Sequence, residues 1–464
     1  METPARGRKG RRMTTTPDRT SEEDPERALG VPPAELAGTA LPGGAAPGRS
    51  VFADPDFRRL FAAAAMSRLG TSIGHLAVPL AAVTALAATP GELGVLAMLS
   101  TLAFLLIGLP AGVWVDRLRR RPVMVVADLV RAALLASVPL AWWLGALTFA
   151  HLCAVVLVCG FATVFFEIAD QSYLPQLVGP DRLTAANTAL VSMDAANQLA
   201  GRGIGGLLIQ LLSAPAAILV DALSYLWSAV CLRGITRAEP PPARGERTSL
   251  PREVGQGLGM VAGHPILRAI AVEGALTNLA IQIVQTVLPL VFVRELGLSP
   301  LWFGVFLTAG GVGFLLGSAG AARLGRRFGE SRVVWLTSVA VVPFAPLIPL
   351  VDAGAGLWLA GAGWMAVTYK VGVANVIKVG FRQRVTPGRL LGRVTATMRF
   401  MFTGALAIGA GAAGLIGELA GTRAALWAGA AVLAVSFLPI MLSPLRTLRD
   451  LPDGAGGAPG TPED

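Results

Sequence analysis

Apolar stretches close to twenty residues long recur along most of this sequence, and no other feature restricts its fold as much. At 1.5 Å of rise per helical residue, each is long enough to cross a hydrocarbon layer of about 30 Å. Twelve such spans begin near Arg59, Glu92, Pro122, Thr148, Thr184, Pro215, Ile266, Leu301, Arg332, Ala355, Leu391 and Thr422. Composition agrees: of 464 residues, 53% are hydrophobic and 15% charged, where soluble domains average roughly 45–50% and 25%. The expected fold class is an all-α polytopic membrane protein with twelve transmembrane helices. Cys153, Cys159 and Cys231 sit inside apolar runs, without the paired spacing of a metal site or the even count of a disulfide framework. They read as packing residues, and neither a metal nor an organic cofactor is expected.

Residues 1–55, rich in Arg, Pro, Gly and Ala, lack the large apolar side chains of a core and are expected to form a disordered tail, with 446–464 as a second, shorter one. Lys and Arg in short loops resist translocation. With the amino terminus inside, the inner loops hold twenty of them and the outer loops two, Arg294 and Arg423. Both termini are therefore expected in the cytoplasm. The net charge of +10 is spread over many loops rather than one face, so it sets topology and does not signal nucleic acid. The longest inner loop, 234–264, contains Glu239-Pro240-Pro241-Pro242 and reads as a linker between six-span bundles at 56–233 and 265–445. An echo supports two related halves: Asp116-Arg117-Leu118-Arg119-Arg120-Arg121 follows the second span, and Ala322-Arg323-Leu324-Gly325-Arg326-Arg327 follows the eighth. Parallel six-helix repeats with a binding site between them near mid-membrane are a transporter architecture.

Ionisable groups inside lipid cost roughly 2.5–3.5 kcal/mol each on insertion scales, so each is a functional candidate. On the fifth span Asp194, Asn197, Gln198, Gly201, Arg202 and Gly205 fall on one stripe about 140° wide, fit to face a water-filled cavity. Glu167, Asp170 and Gln171 share one face of the fourth span at i, i+3 and i+4. Carboxylates so placed, and Asp194, are candidates for proton coupling, because like charges at close range push one of a pair toward its protonated form. Asn278, Gln282 and Gln285 cluster on one face of the seventh span, with Glu273 pointing elsewhere. These amides, Asn197, Gln198, Arg202 and Lys370 make up the expected substrate cavity. Lys370 and Arg399 also lie near enough to one membrane surface to snorkel. Asp128, Arg131 and Asp221 are expected to be structural partners. No Walker-type glycine loop, zinc-spaced His and Cys cluster or nucleophile with a His partner is present, so neither ATP-driven transport nor enzyme chemistry is expected.

The stretch Gly112-Val113-Trp114-Val115-Asp116-Arg117-Leu118-Arg119-Arg120-Arg121 resembles the loop 2–3 signature of the major facilitator superfamily, with Arg119 in place of its second glycine. Phe165-Phe166-Glu167-Ile168-Ala169-Asp170-Gln171-Ser172-Tyr173-Leu174-Pro175, Asp221-Ala222-Leu223-Ser224-Tyr225 and Leu391-Gly392-Arg393-Val394 are similar to the macrolide and siderophore exporter-like subgroup often called drug:proton antiporter family 3. Gly201, Gly203, Gly205 and Gly206 resemble that family's antiporter motif, but Arg202 stands where a proline is usual. The resemblance implies export of a small hydrophobic or amphipathic molecule by proton antiport. It also implies a cytoplasmic gate built from Gly112, Asp116, Arg117, Arg120 and Arg121, echoed at Arg323 and Arg326, that joins helix ends in the outward-open state. The expected partners are a small-molecule substrate and membrane lipid, with a monomer as the working unit in the cell membrane and the proton gradient as energy source. An uptake permease or a lipid translocator on the same scaffold is the alternative reading, and a membrane enzyme a more distant one.

Overall fold

The computed structural model describes residues 50–237, 239 and 250–451; the rest of the expected tails and the middle of the expected linker lie outside these. Helices α1 (Pro55–Ala85), α2 (Pro90–Asp116), α3 (Arg120–Trp143), α4 (Phe149–Val178), α5 (Pro180–Leu212) and α6 (Ala214–Arg233) form a first set. After the short α7 (Leu250–Gly263) come α8 (Pro265–Leu290), α9 (Pro300–Phe328), α10 (Glu330–Ala340), α11 (Ala355–Val385), α12 (Gly388–Ala420), α13 (Thr422–Val435) and α14 (Leu438–Met441). No strand occurs among the described residues. Each expected span corresponds to one helix, except that the ninth is α10 continued by a 3-10 stretch, Val342–Leu347, and the twelfth is α13 with α14. Among the described residues, eight segments meet length and hydropathy criteria for crossing a membrane. The others are α1, α5 and α11, which carry ionisable groups, and the broken α10.

Local chemistry sets the helix ends. Thr89 and Glu92 form a reciprocal capping box, the Thr89 hydroxyl accepting from the Glu92 amide at 3.2 Å and the Glu92 carboxylate from the Thr89 amide at 2.8 Å. Pro90 stands at the first helical position, where its missing N–H costs nothing. Asp54 and Thr148 cap α1 and α4 by accepting the amides of Asp56 and His151. Gly179, at φ +75°, turns α4 directly into α5, a conformation a side chain would strain. His264 caps α8, its Nδ1 accepting the Leu267 amide at 3.3 Å; burial pushes the imidazole below its ordinary pKa, which keeps that nitrogen an acceptor.

All these connections alternate between two ends of the molecule. One end carries Arg117 to Arg121, Arg323 to Arg332 and Arg382 to Arg393 and is called the basic end; Trp143, Leu212 and Glu418 mark the far end. In the first set α1 packs on α5 and α6, α3 on α4 and α6, and α2 on α4; in the second, α8 packs on α12 and α13, and α11 on α9 and α10. Two principal seams join the sets, α2 with α12 and α5 with α9. The apolar core is not uniform along this axis. Toward the far end one cluster runs through both sets, uniting Leu76, Leu80 and Ile209 with Val284, Phe292 and Phe306. Toward the basic end it divides into a cluster around Phe57, Met124 and Leu177 and a separate one around Leu267, Phe381 and Met398. The molecule is thus forked, fused at one end and split at the other.

Three expectations about connecting segments need correction. The tail expected up to residue 55 is packed from Val51, because Val51 and Phe57 enter the first-set core and Asp54 caps α1. Residues 446–451, expected in the second tail, lie against α10: the carbonyl of Arg449 accepts from Ser331 and Arg332, and Leu451 is buried. The expected linker contains α7, which rests on α8 and α12 through Val261 and the bare backbone of Gly257. Its apolar positions are interrupted by four glycines, which hid the helix from the sequence.

Candidate functional site

Between the two sets a cavity of about 110 Å³ is lined by Gln198 and Arg202 of α5, Gln285 of α8, Gly310 of α9, and Trp364 and Thr368 of α11. The polar stripe read on the fifth span supplies its floor, and glycines bring the walls together. At Gly206 an added Cβ would lie 2.9 Å from the carbonyl oxygen of Pro300 and 3.1 Å from the Cα of Gly304, so α5 and α9 meet backbone to backbone just beyond the cavity on the far side. The α2–α12 seam does the same: a Cβ at Gly94 would lie 2.6 Å from the Cα of Gly414. Glu418 seals that seam, accepting the Gly91 amide at 3.0 Å.

The candidate proton-coupling residues are spread over two groups. Asp170 of α4 and Asp194 of α5 both reach Arg68 of α1, the former at 3.5 Å and the latter in a closer ion pair. Two carboxylates thus share one guanidinium, so the ionised group carries an excess of one negative charge. Arg68 was missed in the sequence although α1 carried a signal for it: Ser67, Arg68, Thr71, Ser72 and His75 fall on one stripe about 140° wide, as polar residues do on α5. Glu167 does not join this group. It pairs with Arg399 of α12, each side chain 45% exposed, and the Arg399 guanidinium lies 4.3 Å from the ring centroid of Phe104 on α2. Arg399 therefore bridges the two sets instead of snorkelling.

The expected cavity residues divide likewise. Gln198, Arg202 and Gln285 line the cavity. Asn197 instead donates to the Ala65 carbonyl at 3.1 Å, stapling α5 to α1. Asn278 donates to Gly274 one turn back at 2.8 Å, and Gln282 to Thr286 at 3.2 Å, so each is held by a bond within α8, and neither lines the cavity. Lys370 is a correction: it is 2% exposed and does not line the cavity. Its ammonium sits on Glu273 and on the Thr277 hydroxyl at 2.9 Å, with Lys378 on the other carboxylate oxygen of Glu273. A single buried acid holding two lysines is invisible to helical periodicity, since its partners lie on another helix. The first set has its own buried cluster, Asp128 paired with Arg131, whose guanidinium lies over Phe166 at 4.4 Å and Tyr225 at 4.1 Å.

The expected gate residues cluster at the basic end. Arg121 donates through Nε to the Leu232 carbonyl at 2.9 Å and also to that of Arg233, while Glu239 accepts the amides of Arg120 and, at 3.2 Å, Arg121. These contacts tie α3 to the end of α6 and the residues after it, within the first set. Gly112 and Asp116 lie in the last turns of α2; Arg117, Arg323 and Arg326 are exposed. Nearby, Asp56 accepts the amides of Thr236 and Arg237, each at 3.0 Å. Burial alone would raise its pKa, but these donors and Arg59 hold it below the ordinary carboxylate value.

With this geometry in hand, likeness to known proteins is informative. Residues 46–453 match the family described as "Transmembrane secretion effector". The chain is 29% identical over 366 residues to the multidrug efflux pump Tap of Mycolicibacterium fortuitum, covering 76% of this chain and 84% of that one. It is 27% identical over 380 residues to y4rN of Sinorhizobium fredii, an uncharacterised MFS-type transporter, covering 79% and 90%. Among solved structures, a bacterial homologue of the iron transporter ferroportin in an inward-facing state aligns over 83% of this chain and 98% of its own, with a TM-score of 0.68 at 17% identity. The outward-facing form aligns over 85% and 100% with a TM-score of 0.56 at 17% identity. Such distant likenesses establish a shared transporter fold. On the match along its described length, the chain belongs to the transmembrane secretion effector family of the major facilitator superfamily.

Proposed function

We propose that this transporter exports a small hydrophobic or amphipathic molecule, such as a drug-like compound or a siderophore, by alternating access coupled to inward proton movement. The fork carries the reading. A cavity lined from both helix sets lies where the shared core ends, so rocking one set against the other changes which end is open without repacking either interior. The basic end faces the cytoplasm on this reading, because arginines concentrate in its loops. The state is then inward-facing, in keeping with the higher TM-score against the inward-facing ferroportin homologue. It also suits Arg120 and Arg121, which are engaged within the first set and await the other state. Export is favoured over uptake by the likeness to an efflux pump, Tap.

Coupling falls to Asp170, Asp194 and Arg68. A proton on either carboxylate removes the excess charge and frees one arm of Arg68, loosening the junction of α1, α4 and α5 where the cavity floor begins. Glu167, expected as a third coupling acid, serves as a bridge to Arg399 and opens and closes with the fork. The test uses proteoliposomes with an imposed pH gradient, following extrusion of a lipophilic dye. Asp170→Asn with Asp194→Asn should abolish gradient-driven flux while leaving downhill exchange. Gradient-driven flux that survives the double variant would remove the coupling assignment.

A further inference from the structure

We propose that Arg202 is a recognition group for an anion, so that the cavity takes amphipathic molecules bearing one carboxylate, sulfonate or similar substituent. The inference rests on the export reading only in that it places this cavity on the transported route. Four other basic side chains within the helices meet a carboxylate: Arg68 meets Asp170 and Asp194, Arg131 meets Asp128, Lys370 meets Glu273, and Arg399 meets Glu167. Arg202 forms no ion pair among the described residues. Of its five N–H donors, one reaches the Leu307 carbonyl at 3.2 Å. A permanent cation within a membrane helix calls for a counter-charge, and each of these four has one where Arg202, which opens onto the cavity, does not.

A second observation points the same way. Trp364 lines the cavity, is 1% exposed, and its indole N–H is buried without an acceptor. That N–H lies beside the bare backbone of Gly310, where an added Cβ would stand 2.2 Å from Nε1, and an unmet buried donor is costly. Gln198, Gln285 and Thr368 add polar groups, and no lining residue is acidic. Ile281, Phe314 and Val371 provide apolar wall, which suits a hydrophobic body attached to the anion. The volume of about 110 Å³ holds a carboxylate or sulfonate with its neighbouring ring atoms, and the remainder of such a molecule extends toward the split end.

The test compares anilinonaphthalene sulfonate with N-phenylnaphthylamine, two probes with the same ring body that differ by the sulfonate. Calorimetric titration of the purified full chain in detergent, with no gradient, should show the sulfonate binding about tenfold more tightly. Arg202→Gln should bring the sulfonate to the affinity of the neutral amine and leave the amine within about twofold. Gln285→Glu keeps the arginine but gives it a carboxylate, and should erase the same preference; it decides the matter if Arg202→Gln does not fold. Equal affinities in the unaltered chain, no binding of the sulfonate, or a preference that persists in a folded variant would each overturn the proposal. Export fails separately: a chain that shows the preference but moves neither probe under a pH gradient keeps the anion site and loses the efflux reading.

Discussion

The two ends of the molecule are held by different physics. At the far end the helix sets share one apolar core and touch backbone to backbone at Gly94, Gly206, Gly304 and Gly414. Toward the basic end the core divides, and an ion pair that spans the sets on that side, Glu167 with Arg399, is half exposed. Inside each prong the charges are deeply buried instead, as with Glu273 and its two lysines. The same chemistry, a carboxylate with a base, thus serves as a rigid interior fastening in one place and a reversible clasp in another. Desolvation makes the difference: a buried group has no water to fall back on, whereas an exposed pair exchanges its partner for solvent at little cost.

The contrast can be broken from its strong side first. Glu273→Gln leaves two buried ammonium groups facing each other and should cost about 3–5 kcal/mol, read as a lower thermal unfolding midpoint of the purified protein. Lys370→Met leaves Glu273 with Lys378 as a neutral pair, so its cost should be much smaller. Equal losses would show that charge balance is not what holds this prong. Next comes the fused end. Gly94→Val puts a side chain where the Cα of Gly414 lies 2.6 Å from an ideal Cβ, an overpacking penalty of about 1–3 kcal/mol. Spin labels on α2 and α12 should then report a wider far end, with reduced transport; an unchanged distance distribution would deny that this seam controls closure.

A smaller effect comes from the entrance to α8. The folded pKa of His264 is depressed, so its cap contributes stability that is present above the ordinary histidine value and is lost as pH falls through the folded value. The partly exposed site limits this to at most about 1 kcal/mol. His264→Asn keeps a capping acceptor and should flatten the pH dependence of unfolding between about pH 5 and 7. The smallest expected change is in Glu167→Gln, about 0.2–1 kcal/mol, which should leave the unfolding midpoint almost unmoved while increasing label accessibility at the basic end. A large loss of stability there would erase the distinction between clasp and fastening.

Much of this was legible in the sequence, for reasons that can be named. Span length and apolar character register eight of the helices by themselves, and the polar stripe on α5 named Gln198 and Arg202, which line the cavity, because a face of a helix is a local property. Pairing across helices is not local. Arg68 meets acids more than a hundred residues away, and Lys370 meets Glu273 from a different helix, so spacing along one strand of sequence could not have predicted either. The amides of α8 illustrate a subtler limit. Asn278 and Gln282 share a face with Gln285, yet each donates to its own helix, and of the three Gln285 lines the cavity.

Glu239 and α7 flank the passage from the sixth span to the seventh, and each is moored to its own side. Glu239 occupies the start of α3, where Arg119 offers no side-chain cap, and α7 is fastened to α12. Neither anchor depends on covalent continuity across residues 240–249. The chain is thus organised as two pieces that carry their own moorings up to the joint. Co-produced fragments ending after Glu239 and beginning at Leu250 should find each other in the bilayer and assemble, which makes that joint a natural place to insert a reporter or a protease site.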